Sequence, residues 1–160
     1  MIAWVKRLWA RVSGRIDAKR APTESHRIGA IGEDAAARFL ARERGMSILA
    51  RNWRNPKNKH EEVDLVCRSP EGVIVFVEVK SYPTARLFGG YATINARKKK
   101  VLKSAAKSYL RGLGPRRHEL TYRLDVVVIE RTDDGRLVPH HFINVPVFSR
   151  GKHIFEVRND

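Results

Sequence analysis

Residues 63–80, VDLVCRSPEGVIVFVEVK, constrain the fold more than any other part of the chain. Two valine-rich runs flank RSPEG, whose Ser69, Pro70 and Gly72 are reversal signals, so the runs read as neighbouring strands of a hairpin. In the second run Val73, Val75, Val77 and Val79 face one side, and Ile74, Phe76, Glu78 and Lys80 face the other. In the first run Glu62, Asp64 and Val66 share a face opposite Val63, Leu65 and Cys67. A tip at residues 70–72 pairs Ser69 with Val73, which sets Asp64 opposite Glu78 and Glu62 opposite Lys80. A slip of one residue would reverse the face of one carboxylate relative to the other, so the alternation of Glu78 and Lys80 is the firmer expectation.

Around this hairpin the pattern reads helix, three strands, helix, strand. Helical periodicity runs over residues 28–44 and ends at Gly45. MSILARNW reads as the first strand and NPKNKH as a turn or loop, with the second and third strands at 62–67 and 73–80. SYPTARLFGGY breaks regular structure. Residues 93–110 then resume a helix through Ile94, Val101, Leu102, Ala105 and Leu110. TYRLDVVVIE is a fourth strand, RTDDGR a turn, and VPHHFINVPVF an edge strand or short terminal element. This order predicts an α/β fold, a mixed sheet covered by helices.

The 160 residues suffice for one sizeable core, so residues 25–160 read as a single domain and residues 1–24 as a basic amphipathic leader and linker. In the leader, Trp4, Val5, Leu8, Trp9, Val12 and Ile16 lie on or near one helical stripe. Lys6, Arg7 and Arg11 interrupt it, which excludes a secretory signal or a membrane span. Packing on the domain or on a partner is the first reading, and peripheral membrane contact the second. A cytoplasmic protein is expected. The lone Cys67 lies in an apolar strand and reads as a small buried hydrophobe in a reducing compartment.

Lys and Arg number 32 against 17 Asp and Glu, a formal charge of +15, and nucleic acid is the first partner that such an excess attracts. Arg97, Lys98, Lys99, Lys100, Lys103 and Lys107 form a run with no acid between them. Lys98, Lys99, Lys103 and Lys107 are candidates for positioning a phosphate backbone; a solvated helix face explains any single lysine equally well.

Opposed carboxylates on a hairpin repel, and burial raises the cost. A divalent cation turns that cost into a purpose. Hard oxygen ligands suit magnesium, with manganese as an alternative, and leave positions for water and phosphate. No residue pattern calls for an organic cofactor. Asp64 and Glu78 are the candidate ligands, and Lys80 would orient or deprotonate water or offset phosphate charge. Glu33 aligns with Ala36, Ala37 and Leu40, the helical line expected to approach the sheet. It reads equally as an acid favourable to the helix dipole until the strand carboxylates are counted with it. Glu62 reads first as a solvent-facing strand end or a partner of Lys80. Tyr82 and Phe88 read as loop packing before base stacking, Asp125 as half of a structural ion pair, and adjacent His140 and His141 as no metal pair.

At these residues the sequence resembles the YraN family, predicted nucleases with the restriction-endonuclease-like core of the PD-(D/E)xK superfamily. The resemblance spans most of residues 28–148. It rests on Gly32 and Glu33 before an alanine-rich helix, Ile48, Leu49 and Asn52, Glu62-Val63-Asp64-Leu65, and Phe76-Val77-Glu78-Val79-Lys80. Phe88-Gly89, the basic helix, Arg123-Leu124-Asp125-Val126-Val127 and His141-Phe142-Ile143-Asn144 extend it. It implies a metal-dependent nuclease with Asp64, Glu78 and Lys80 as the ligand and catalytic set and Glu33 as the acid from the first helix. Val63 stands where the superfamily's name has proline, and Glu61 stands where the family usually has glycine.

Three functions follow as expectations. The first is a magnesium-dependent nuclease acting on DNA, favoured over RNA, or on a structured nucleic-acid intermediate. The second is a nucleic-acid-binding or assembly module that keeps the fold and has lost efficient turnover. The third, resting on the leader alone, is a peripheral membrane protein. A homo-oligomer or a protein partner is compatible with each.

Overall fold

The computed structural model describes residues 23–83, 94–114 and 119–146. The leader, Phe88 and Gly89 lie outside them. Helix α1 (Glu24–Arg42) is capped by Thr23, whose side chain accepts from the His26 N–H at 3.4 Å. It therefore starts four residues before the expected position, because a capping threonine sits inside what reads as a polar linker. Gly45, at φ 61°, reverses the chain after the helix, a conformation open to glycine without steric cost.

Five strands follow: β1 (Ser47–Asn55), β2 (Asn58–Arg68), β3 (Ile74–Pro83), β4 (Tyr122–Arg131) and β5 (Leu137–Phe142), with helix α2 (Ala96–Gly112) between β3 and β4. They form one sheet in the order β1-β2-β3-β4-β5. Only the β3–β4 pair is parallel, and α2 belongs to the crossover that joins them. This is the restriction-endonuclease-like mixed sheet, in the expected order of elements, with β5 at one edge and β1 at the other.

Each face of the sheet has its own core. Toward α1, Ala36, Ala37, Phe39 and Leu40 pack on Leu65, Cys67, Val75, Val77, Val127 and Ile129. Toward α2, Leu102, Ala105, Ala106, Tyr109 and Leu110 cover Val63, Val66, Phe76, Leu124, Val126 and Val128. Enclosure on both sides explains why β3 and β4 carry nearly continuous apolar runs, as strands buried on both faces do.

The β2–β3 register is the expected one. Leu65 pairs with Val77, Val66 with Phe76, Cys67 with Val75 and Arg68 with Ile74, and the Ser69 N–H donates to the Val73 carbonyl at 2.9 Å. The assignment of faces in β2 needs correction, because Val63 and Val66 pack in one core while Leu65 and Cys67 pack in the other. Simple alternation fails between Leu65 and Val63, at Asp64. Asn52, which lies between the partners of those two residues on β1, has φ 48°. A left-handed residue breaks the pleat there, so Val63 departs from the two-residue period.

The β1–β2 hairpin is also longer than expected. NPKNKH is largely strand, turning tightly at Pro56 and Lys57 with Asn55 paired to Asn58. Glu62 does not lie opposite Lys80, since the β2–β3 ladder ends before it, and it pairs with Arg54 at 3.2 Å on the exposed hairpin. No helix among the described residues is long and apolar enough to cross a membrane.

Candidate active site

The β2–β3 ladder stops at Leu65 and Val77, yet β3 continues beside β4 as far as Pro83. Past this fork the Val79 N–H donates to Asp64 Oδ2 at 2.7 Å, so a side-chain carboxylate occupies the place a strand carbonyl would take.

Glu78, the residue before Val79, is 1% exposed and held between two lysines. Lys80 Nζ lies 2.8 Å from Oε1 and Lys98 Nζ 3.1 Å from Oε2. A buried carboxylate is costly unless charge compensates it, and here the compensation comes from its own strand and from the first turn of α2. Lys98 reaches Oε2 without the alignment of a hydrogen bond, which leaves Oε2 a buried acceptor with no directed donor.

The electrostatics bind the group together. Burial, then the charge of Glu78, pushes the Asp64 carboxyl up to about 7, with Glu33 adding to the rise and the Val79 N–H and Lys98 opposing it. Burial pulls Lys80 down, but Glu78 and then Asp64 outweigh it and raise its pKa overall. Lys80 is therefore an ammonium, fitted to donate hydrogen bonds or offset phosphate charge.

Glu33 comes from α1. Beside it Gly32 is buried against β3, where an added Cβ would meet Ser81 Cβ at 3.1 Å. This close approach draws the half-buried Glu33 near enough for its charge to act on Asp64. Asp34 points elsewhere and pairs with Arg38 and Arg51.

The fold thus brings Asp64, Glu78 and Lys80 together at one fork, with Glu33 beside them. Among the described residues no three His, Cys, Asp or Glu side chains converge closely enough to hold a metal as they stand. The donor set nevertheless suits a hard cation. Asp64 is half-buried and Glu78 fully buried, burial and then Glu78 drive Asp64 toward its neutral form, and one buried oxygen lacks a directed donor.

Other residues take structural roles. Glu61 accepts from Asn55 Nδ2 at 2.7 Å, Asn58 Nδ2 at 3.2 Å, Ser104 Oγ at 2.7 Å and Ser108 Oγ at 3.0 Å. Its carboxylate is committed to α2 and the hairpin turn, and these hydrogen bonds, Asn55 first, hold its pKa below the usual range. Asp125, on the α1 side, is fully buried. It accepts from Arg123 Nε at 2.9 Å, pairs with His141 Nε2 at 2.9 Å and accepts from the Asn144 N–H at 2.9 Å. His140 turns to Glu130 at 2.9 Å instead, so the two histidines form no metal pair. Tyr82 packs against the α2-side core. Burial, then the charge of Asp125, raises the Cys67 thiol to about 12, which suits an inert core residue.

Of the basic candidates, Lys98 faces Glu78, Lys99 and Lys103 are half-buried, and Lys107 is exposed. Lys98 is thus turned to the fork, while Lys99, Lys103 and Lys107 follow one another at four-residue spacing along α2. Sequence reasoning missed the contact of Lys98 with Glu78 and the Glu61 cluster. A signal for the second was present in Ser104 and Ser108, spaced one helical turn apart on α2.

Comparison with known proteins places this geometry in a family. The model of uncharacterised protein family UPF0102 matches residues 32–129, which include every element of the fork. A UPF0102 protein of Albidiferax ferrireducens is 37% identical over 106 residues, covering 66% of this chain and 80% of that protein. One from Corynebacterium efficiens is 37% identical over 120 residues, covering 74% and 91%. One from Symbiobacterium thermophilum is 40% identical over 113 residues, covering 71% and 90%. With motifs, register and fold in agreement, the chain belongs to the UPF0102 (YraN) family of restriction-endonuclease-like proteins.

Proposed function

We propose that this chain is a metal-dependent nuclease that hydrolyses phosphodiester bonds in DNA or a structured nucleic-acid intermediate. The observation that carries the reading is the meeting of Asp64, Glu78 and Lys80 at the β2–β3 fork, with Lys80 kept charged. Asp64 and Glu78 would hold magnesium or manganese, with Glu33 completing the shell or orienting a water. The bound cation would supply Lewis-acid stabilisation of charge on the phosphate and a water of lowered pKa.

The protein's own groups position and compensate. Lys80 donates from Nζ to the attacking water or to a non-bridging phosphate oxygen, placing positive charge where negative charge accumulates during inline displacement. Asp64 keeps its place through the Val79 N–H, so its carboxylate is oriented before substrate arrives. The field of the +15 chain draws the polyanion in, and Lys99, Lys103 and Lys107 are proposed to steady its backbone.

A second reading, a binding or assembly module with the same fold, is favoured by one observation: both Glu78 oxygens already face lysines. Cleavage assays on single-stranded, duplex, flap and four-way-junction substrates, in DNA and RNA forms, decide between them. Magnesium- or manganese-dependent cleavage lost on chelation and in separate Asp64→Ala and Lys80→Ala variants supports the nuclease. Tight binding without turnover on every substrate supports the module.

A further inference from the structure

The Glu61 cluster joins elements that the catalytic reading leaves unconnected. Its donors come from both sides of the β1–β2 turn, Asn55 and Asn58, and from one face of α2, Ser104 and Ser108. Asn55 Nδ2 also reaches Ser108 Oγ at 3.2 Å, and Arg111 Nη2 donates to the same oxygen at 2.9 Å. One carboxylate with four donors therefore fixes the hairpin tip against the carboxyl-terminal half of the helix.

The tip so fixed is basic and exposed at Lys57, Lys59 and His60, and the helix beside it is exposed at Lys107 and Arg111. The acids of this region are already engaged, Glu61 by the cluster and Glu62 by Arg54. Among the described residues no carboxylate pairs with Lys57, Lys59 or Lys107. These ammonium groups stand in solvent, grouped by a clamp that a glycine at position 61 could not form.

We propose that the hairpin tip and the end of α2 form a second grip on the phosphate backbone, held in alignment by Glu61 and remote from the bond that is cut. The inference rests on the nuclease reading for what lies at the other end of the helix. Lys98 touches Glu78 and Ser108 touches Glu61, ten residues further along α2. At the helical rise this is about 15 Å, roughly four base steps of a duplex. The grip thus meets phosphates several nucleotides from the scissile one and gives the enzyme a minimum substrate reach on that side.

The test is equilibrium binding of a labelled duplex by fluorescence anisotropy across a salt series, in chelator so that nothing is cut. It compares the full chain with Lys57→Ala/Lys59→Ala, with Glu61→Ala, and with an Arg27→Ala/Arg68→Ala control of equal charge loss at exposed positions elsewhere. The tip variant should lower the slope of log K against log salt by about two, at nearly one unit per phosphate contact, with a smaller effect in the control. Glu61→Ala should weaken binding although it removes a negative charge, while thermal melting confirms that the variant is folded. Tip and control variants that behave alike, or a Glu61→Ala protein that binds more tightly, overturn the proposal. Tip-dependent binding by a protein that never cleaves in magnesium would leave the grip standing and remove the nuclease. A wild-type chain that fails to bind the duplex would overturn the grip, while the nuclease reading stands or falls separately with the cleavage assays on the other substrates.

Discussion

Lys98 lies 3.1 Å from Glu78 across the seam between α2 and β3, and it brings the start of the basic helix into the acidic fork. Lys98→Ala would leave Glu78 buried with Lys80 alone. Urea denaturation in chelator should show a loss of about 1–3 kcal/mol, the range for uncovering a buried charged acceptor. Saturating magnesium should narrow that loss, because a cation bound at the fork replaces the missing charge. An equal loss with and without magnesium would place no cation there.

Asp64 sets a pH dependence of unusual sign. Its carboxyl titrates near 3.8 in the unfolded chain and is pushed up to about 7 in the fold by burial and then Glu78, so the folded state holds the proton more tightly. Without metal, the contribution is complete below about pH 4 and is lost as pH rises through about 7. Asp64→Asn, which keeps an acceptor for Val79, should melt higher than wild type at pH 8, and the gap should close toward pH 4. Thermal melts in chelator at several pH values measure it, and a gap that widens toward acid would contradict the assigned burial.

Gly32 positions Glu33. Its hydrogen faces Ser81, and a methyl group would sit 3.1 Å from the serine Cβ, so Gly32→Ala must push α1 outward by a few tenths of an ångström. Alanine favours the helix intrinsically, so stability should change by less than about 1 kcal/mol in either direction. Cleavage should fall by about ten- to a hundredfold through displaced Glu33. Adding Ser81→Gly should restore activity, measured as single-turnover rate; no rescue would mean that Glu33 plays no part.

Asp125, on the α1 side of the sheet, is a matter of stability. Asp125→Ala strands the Arg123 guanidinium, His141 and the Asn144 N–H in the interior, and urea unfolding should register a loss of about 3–5 kcal/mol. Magnesium affinity, followed by calorimetry on the folded fraction, should be unchanged. A shift there would connect the two faces of the sheet.

The valine period of residues 73–80 and the RSPEG reversal were enough to establish the β2–β3 register, because a buried strand tolerates no slip. The pairing of Glu78 with Lys80 was legible for the same reason. The face of Val63 was not. It depends on Asn52 adopting a left-handed conformation in another strand, an event outside the reach of a period counted along β2. Glu62 misled because the expected ladder was extended past a fork that only the splaying of β2 from β3 creates. The contact between Lys98 and Glu78 depends on where a crossover helix lands, and a run of lysines carries no sign of which one turns inward. Glu61 read as an intrusion near the site until the two serines of α2 gave it a destination.

Because the Val79 amide hydrogen is held by Asp64 and not by a strand carbonyl, its exchange with solvent is a gauge built into the backbone. A ligand that turns the carboxylate away from Val79 releases that hydrogen, and one that binds through Oδ1 while Oδ2 stays on the amide protects it further. Deuterium uptake at Val79, followed while magnesium is added, would report occupancy of the fork directly, before any substrate is known.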